Sequence, residues 1–252
     1  VICSDKTGTL TQNKMTVVEG WTSNGGIDFK QTEHQLKTEE ETLLMASLLC
    51  TDAHLKILDD GTTENSGDPT ETAIVDIALK LGVNKNEVEK KYNRVEEIPF
   101  DSERKRMATI NQHPNGKLFV NVKGGLDEVL NVCTHILDGK ESRVLNGEDI
   151  KSIKEQNNQM AQNALRVLAI AKKEIDNIPN EVTDEVLEKD LTFVGMLGMI
   201  DPARPEVIDA VKKCKTAGIR PIMITGDHKV TAVAIAEEIG LFGDGDRALT
   251  GS

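Results

Sequence analysis

Near the start of the chain, Asp5-Lys6-Thr7-Gly8-Thr9-Leu10-Thr11 combines one carboxylate with three hydroxyls and a glycine. That combination suits a phosphate. Gly8 lets the backbone turn tightly, and the hydroxyls and amides of Thr7, Thr9 and Thr11 offer donors to phosphate oxygens without adding bulk. A carboxylate in such a loop can attack a phosphoryl group and become an aspartyl phosphate. Two anions meet in that step, so Lys6 or a magnesium ion is needed to offset their charge.

The elements around Asp5 must bring it to a crevice. Val1-Ile2-Cys3-Ser4 reads as a short apolar strand, which puts Asp5 just past the carboxyl end of a buried strand, where open α/β sheets bind ligands. Cys3, on that strand, reads as core packing. The arrangement recurs late in the chain, where the apolar strand Arg220 to Ile224 delivers Thr225-Gly226-Asp227. Helices are expected on both sides of it. Pro205 to Thr216 turns Val207, Ile208, Val211 and Cys214 inward, and Val230 to Ile239 follows, an α-β-α run of a parallel sheet.

The stretch between has a different pattern. Thr16 to Trp21 is a plausible strand, Asn24 to Lys37 is polar and irregular, and Glu39 to Cys50 is a helix with a broad apolar face and acids in its first turn. Asp59-Asp60-Gly61 reads as a turn and residues 64–68 as a loop. Asp68 caps a helix from Pro69 to about Leu81, inward through Ala73, Ile74, Ile77, Ala78 and Leu81. Arg94 to Phe100 is a strand entering the charged turn Asp101 to Arg106. Met107 to Gln112 and Lys117 to Lys123 pair around Asn115-Gly116, so this block is antiparallel. Lys123-Gly124-Gly125 then opens a helix from Leu126 to Cys133, and the two glycines allow close approach of a flat ligand. Asn146 caps a helix from Gly147 to about Asn163. Arg166 to Lys173 alternates, with Val167, Ala169 and Ala171 on one face and Arg166, Leu168 and Ile170 on the other, so Arg166 needs a partner. Val182 to Lys189 reads as a short helix and Leu191 to Ile200 as the last strand of this insert. Asp201-Pro202-Ala203-Arg204-Pro205 is stiffened by two prolines and marks a boundary.

Composition narrows the functions open to the chain. It has 252 residues and a formal net charge of -12, with no basic stripe, which argues against nucleic acid as a partner. Four scattered cysteines show no metal-ligand spacing and read as reduced thiols. No apolar run approaches the length needed to span a bilayer. The chain starts inside a motif without an initiator Met, so it reads as a soluble piece of a larger protein, expected to be monomeric.

Asp5 to Thr11 resembles the phosphorylation motif of P-type ATPases, the cation pumps, and ordered landmarks at Gly67, Phe100, Lys123, Arg166, Asp201 and Thr225 carry the resemblance through most of the chain. Residues 67–71 and 223–228 are similar to the calcium-pump branch. The resemblance implies a mixed α/β and α+β fold: a partial haloacid-dehalogenase-like Rossmann phosphorylation domain at residues 1–13 and 201–252, interrupted by a large antiparallel-sheet nucleotide-binding domain, flanked by helices, at 14–200. It implies ATP and Mg2+. Asp5 is then the phosphoryl acceptor, with Lys6, Thr7, Thr225, Gly226 and Asp227 around it and Asp5 and Thr7 on the metal. It further implies that Glu71 bonds the adenine amino group and that Phe100 stacks on the ring. Lys105, Lys123, Gly124, Arg166 and Leu168 complete the pocket, and Asp201 and Arg204, at the hinge, are implied to bind the nucleotide as well. Ser102 stands where the family commonly has Arg, leaving Arg104 or Arg106 as replacements for triphosphate contacts, and Ala203 stands where a Pro is usual. The transported cation would bind membrane helices outside this chain, at whose cytoplasmic face the chain would sit. The metal-binding Asp and catalytic Lys of the family are expected downstream of Ser252, so weak ATP binding with little turnover is expected of this piece.

A soluble haloacid-dehalogenase-type phosphatase with a large cap is the alternative. Such enzymes usually carry a second Asp two residues after the nucleophile as acid and base, and Thr7, which cannot serve so, opposes it.

Overall fold

Apolar alternation in the middle of the chain builds one large sheet, and two short apolar runs from opposite ends of the chain build a small one. The computed structural model describes residues 1–30, 35–58, 62–226, 229–243 and 245–250. The chain opens with β1 (Ile2–Asp5) and a wide turn, then forms β2 (Thr16–Thr22), β3 (Gly25–Asp28) and α1 (Thr38–Leu49). β4 (His54–Ile57) and β5 (Thr63–Ser66) make a separate hairpin before α2 (Pro69–Lys80) and α3 (Lys85–Lys91). β6 (Asn93–Asp101), β7 (Arg106–Gln112) and β8 (Leu118–Gly124) follow as an antiparallel meander. Next come α4 (Leu126–Leu130), β9 (Cys133–Asp138), β10 (Glu141–Val144) and α5 (Gly147–Gln162). β11 (Arg166–Ile175), α6 (Asp184–Leu187) and β12 (Leu191–Ile200) close the middle segment, and α7 (Pro205–Thr216), β13 (Pro221–Ile224) and α8 (Lys229–Glu238) end the described elements.

The large sheet runs β10-β9-β12-β11-β8-β7-β6, with β2 on the far part of β12 and β3 beyond it. Every pair is antiparallel except β12 with β9. Helices cover both faces. α1, α2 and α3 bury Leu43, Leu44, Leu48, Ile74, Ile77 and Val88 against Ile170, Val194 and Leu197. On the other side α4, α5 and α6 set Leu126, Val129, Ile153, Met160 and Leu187 against Val120, Val122, Ala169, Ala171 and Phe193. β11 shows why its sequence alternates: Ala169 and Ala171 enter one core, Leu168 and Ile170 the other. Caps set the helix starts, since Asp68 Oδ1 accepts the Thr70 N–H at 2.8 Å and Asn146 Oδ1 accepts those of Glu148 and Asp149.

The small sheet pairs β1 with β13 in parallel, Asp5 opposite Ile224. Leu10, Val207, Val211 and Ile239 form its core. The chain passes between the two sheets at one place: Thr16 pairs with Ile200, the Gln12 N–H donates to the Pro202 carbonyl at 3.0 Å, and Thr11 bridges Ala203.

Several expectations change. β1 is not buried; Ile2 is 46% exposed and Cys3 is exposed too, because the strand has one neighbour among the described residues. Ile208, expected inward, is 37% exposed. The polar stretch after residue 24 contains β3, and residues 64–68 begin as β5, since a hairpin partner supplies the ladder that weak alternation did not advertise. The helix after Gly125 stops at Leu130, and Cys133 starts β9. α3 and β10 were not foreseen. The turn read at Asp59-Asp60-Gly61 lies outside the described residues. No helix of the described residues is long and apolar enough to cross a membrane.

Candidate functional site

Two sites take shape, one on each sheet. The first lies on the face of the large sheet beneath α1 and α2. Lys123, near the end of β8, shares that face with Ile170, its register partner on β11, and hence with Leu168 and Arg166. Its ammonium ion-pairs with Glu71 Oε1 and lies 3.4 Å from Thr51 Oγ1. Glu71 sits in the first turn of α2, where the helix dipole favours a negative charge, and its Oε2 accepts the Asp52 N–H at 3.0 Å. Both charges are buried, at 9% and 5% exposure, and each is met by partners as such burial demands. Arg166 finds the partner its strand position required: Nη1 donates to Thr70 Oγ1 at 3.0 Å, one residue from Glu71. Leu168 packs, half-buried, against the α1 and α2 core.

The glycine after Lys123 is required by crowding. A Cβ on Gly124 would stand 2.4 Å from the Lys105 carbonyl, which itself accepts the Gly125 N–H at 3.1 Å. The turn from Asp101 to Arg106 is thereby pressed onto the end of β8. Asp101 Oδ1 accepts the N–H groups of Glu103 and Arg104 at 2.9 and 2.8 Å, and Lys105 adopts a positive φ of 50°. Arg104 and Arg106 do not reach out as spare phosphate ligands. Both bond Glu188, whose side chain is wholly buried, Arg106 at 2.9 Å, and Arg106 also donates to the Glu128 carbonyl at 2.9 Å. Lys105 pairs with Glu128 at 2.9 Å, a bond that raises its pKa. Phe100 lies in the irregular stretch of β6 between Ile98 and Asp101, 61% exposed, with its ring free of ring contacts among the described residues.

Glu71, Lys123, Gly124, Arg166 and Leu168 thus gather at one end of one face, with Lys105 at the rim beside Gly124 and Phe100 on the outer strand. Cys50 underlies the pocket. Burial pushes its thiol up to about 11, outweighing the nearby charges of Lys123 and Arg94, so it is unreactive packing. Sequence reasoning missed Thr51, Asp52 and Thr70 as pocket residues. The polar break Thr51-Asp52 straight after the apolar α1 was the one signal available.

The second site is the turn Lys6–Leu10 at the end of β1. Gly8 has φ +76°, a conformation that glycine adopts without penalty, and the Thr11 N–H closes the turn on the Lys6 carbonyl at 3.0 Å. Asp5 and Thr7 are exposed at its mouth, while Lys6 is buried. The Asp5 carboxylate makes no hydrogen bond or ion pair among the described residues, and Thr225 follows its register partner Ile224 directly. Asp201 ties the turn to the returning chain: Thr11 Oγ1 donates to its Oδ2 at 2.5 Å and the Lys14 N–H to its Oδ1 at 3.1 Å. Arg204 Nη2 donates to the Gly8 carbonyl at 3.0 Å. Gly226 follows Thr225, whereas Asp227 lies outside the described residues. Among the described residues no three His, Cys, Asp or Glu side chains converge as a metal cage. An exposed carboxylate beside a threonine fits instead a hard dication that keeps most of its ligands from water and phosphate oxygens.

Comparison with known proteins adds to this geometry. The family model for P-type ATPase, cytoplasmic domain N, matches residues 39–206. The chain is 44% identical to calcium-transporting ATPase 1 of Lactococcus lactis over all of its length, and 42% identical to calcium-transporting ATPase 1 of Bacillus cereus over 97% of it. It is 36% identical, over 95% of its length, to the plasma membrane-type calcium-transporting ATPase 10 of Arabidopsis thaliana. It spans 28%, 26% and 23% of those three relatives.

Proposed function

Because the chain belongs to the P-type ATPase family, by its cytoplasmic domain N, we propose that it is the part of an ATP-driven cation pump that binds ATP and accepts its γ-phosphate on Asp5. The cation we assign is calcium, from the names of the relatives. Residues 14–200 act as the nucleotide-binding domain, and residues 1–13 with 201–252 as two segments of a haloacid-dehalogenase-like phosphorylation domain. The chain works at the cytoplasmic face of the membrane that holds the rest of the pump.

In this reading the adenine enters the pocket at Glu71, whose carboxylate accepts from the exocyclic amine, with Lys123, Leu168 and the Phe100 ring bounding the base. Arg166 and Lys105 face the phosphates. At the second site an Asp5 carboxylate oxygen bonds the γ-phosphorus, the bond from that phosphorus to the bridging oxygen breaks, and ADP leaves with the electron pair. Donors from Thr225 and Gly226 hold the phosphoryl group, and Asp227, next in sequence, is assigned to the same motif. Asp5 and Thr7 would hold the magnesium ion that arrives with ATP, which offsets phosphate charge when bound; Lys6 adds a second positive charge near the turn. Thr7 stands where a hydrolytic enzyme would hold an acid, and a threonine cannot serve as a carboxylate base for water, so the aspartyl phosphate is expected to persist.

The observation that carries this reading is the parallel register of β1 and β13, which brings Asp5 and Thr225 from opposite ends of the chain to one strand edge. Asp5→Asn in the full-length protein tests it. Acid-stable labelling from radioactive ATP is expected to vanish while ATP binding persists, and label that survives would move the nucleophile elsewhere.

A further inference from the structure

The face of the large sheet that carries Lys123 continues beyond the pocket as a buried polar strip. Thr109 Oγ1 and Asn121 Nδ2 both donate to Asn111 Oδ1 at 3.0 Å beneath α1. Past this strip three rings gather. Tyr92 meets His113 edge-on at 4.7 Å between centroids, and His113 lies 4.2 Å from Phe119. These rings, with Met45 and Leu49 of α1, line a cleft of about 210 Å³ that shares no residue with the cluster around Glu71 and Lys123.

Lys172 gives the cleft a cation. It lines the wall with its ammonium 5.9 Å from the Phe119 centroid, half-buried and paired with no carboxylate among the described residues. Glu174, further along the same strand, is taken by Lys117 at 2.6 Å. Burial depresses the pKa of Lys172, and the charge of Glu174 offsets this only in part. The same influence, with the charges of Lys172 and Lys91, depresses His113 against the opposing pull of Glu174, so its ring stays neutral and serves as a flat wall. Glu41, exposed in the first turn of α1, is the cleft's one lining carboxylate among the described residues. The volume falls short of the roughly 300 Å³ at which drug-sized pockets begin, which limits the guest to about one ring.

We propose that this cleft is a second small-molecule site, taking a single-ring aromatic carboxylate whose ring lies between Met45 and Phe119 and whose carboxylate meets Lys172. The site stands on its own residues and does not depend on the function proposed above.

Fluorine NMR titration of para-fluorobenzoate into the 252-residue chain tests it. Saturable binding in the millimolar range is expected, the scale for a fragment of so few atoms. Lys172→Met, and separately exchange of the probe for neutral para-fluorobenzamide, should each weaken binding about tenfold, the loss of one charge-assisted hydrogen bond. Thr42→Phe, placed on the half-exposed rim, should block the cleft without touching Lys172, and thermal melts confirm that both variants fold. Absence of saturation overturns the proposal, as does affinity unchanged in both variants. Displacement of the probe by ATP, together with loss of binding in Lys123→Met, would place it in the other pocket and overturn the proposal too.

Discussion

Lys123 and Glu71 hold each other where neither charge could stand alone. Removing one partner leaves the other buried and unpaired, so Lys123→Met or Glu71→Gln alone is expected to cost about 3–5 kcal/mol of unfolding free energy, and the double change less than the sum. Urea denaturation of the four proteins in the cycle measures this. Phe100 is the opposite case. Its ring is 61% exposed and adds little to the fold, so Phe100→Ala should leave the melting temperature in place while weakening ATP binding by about 1–3 kcal/mol, the worth of burying and stacking one ring; calorimetry reads both. Single residues were legible where their type was out of place for their surroundings. An arginine on an apolar strand face announced a partner, and Thr70 is it. Cys3 misled because an apolar residue in a strand reads as core, yet a two-stranded sheet leaves it exposed. Thr51 offered only the polar break after α1, since its role comes from Lys123 on a strand 72 positions away.

Among the elements, the charged turn after β6 depends on a side chain from another part of the chain. Glu188, after α6, is bonded by Arg104 and Arg106 on either side of Lys105. Glu188→Gln should therefore loosen this turn: a loss of about 1–3 kcal/mol is expected, since Arg104 keeps the Pro99 carbonyl and Arg106 that of Glu128, with amide exchange of residues 102–106 quickening more than that of β8. Unchanged protection at the turn would refute the clamp. Elements with strong periodicity or clear caps were readable from sequence, and β12, α2 and α5 fall within a residue or so of where pattern and capping residues put them. The short strands β3, β4, β5, β9 and β10 were not, because four to six residues of mixed polarity carry no alternation and owe their form to a neighbour's open edge. The same effect cut the helix after Gly125 short, since Cys133 joins β12 in parallel instead of continuing the turn.

For the molecule as a whole, acid sensitivity has an identifiable contributor at the far end of the large sheet. His113 is depressed first by burial and then by Lys172, so the unfolded chain takes up its proton at higher pH than the native chain does. Its contribution is in place above the ordinary histidine value of about 6.5 and is lost as pH falls through the lower native value. His113→Gln should flatten the stability profile in that window compared with the unaltered chain, as measured by denaturation at a series of pH values. The two-sheet layout was legible because the chain changes its pattern at Asp201, and strand-helix alternation begins there. Helices flanking the large sheet were expected, but which stretches cover which face was not legible, since no local signal says which face a helix will take.

Thr16 and Ile200 lie side by side in the ladder, with Gln12 bonded to Pro202 just below them. The middle segment therefore hangs from the rest by two neighbouring seams, like a bag closed at its neck. A chimaera that grafts residues 16–200 of a relative onto this base would disturb that neck and the contact of α5 with α8, and the excised segment could be sealed into a free-standing unit by one short loop.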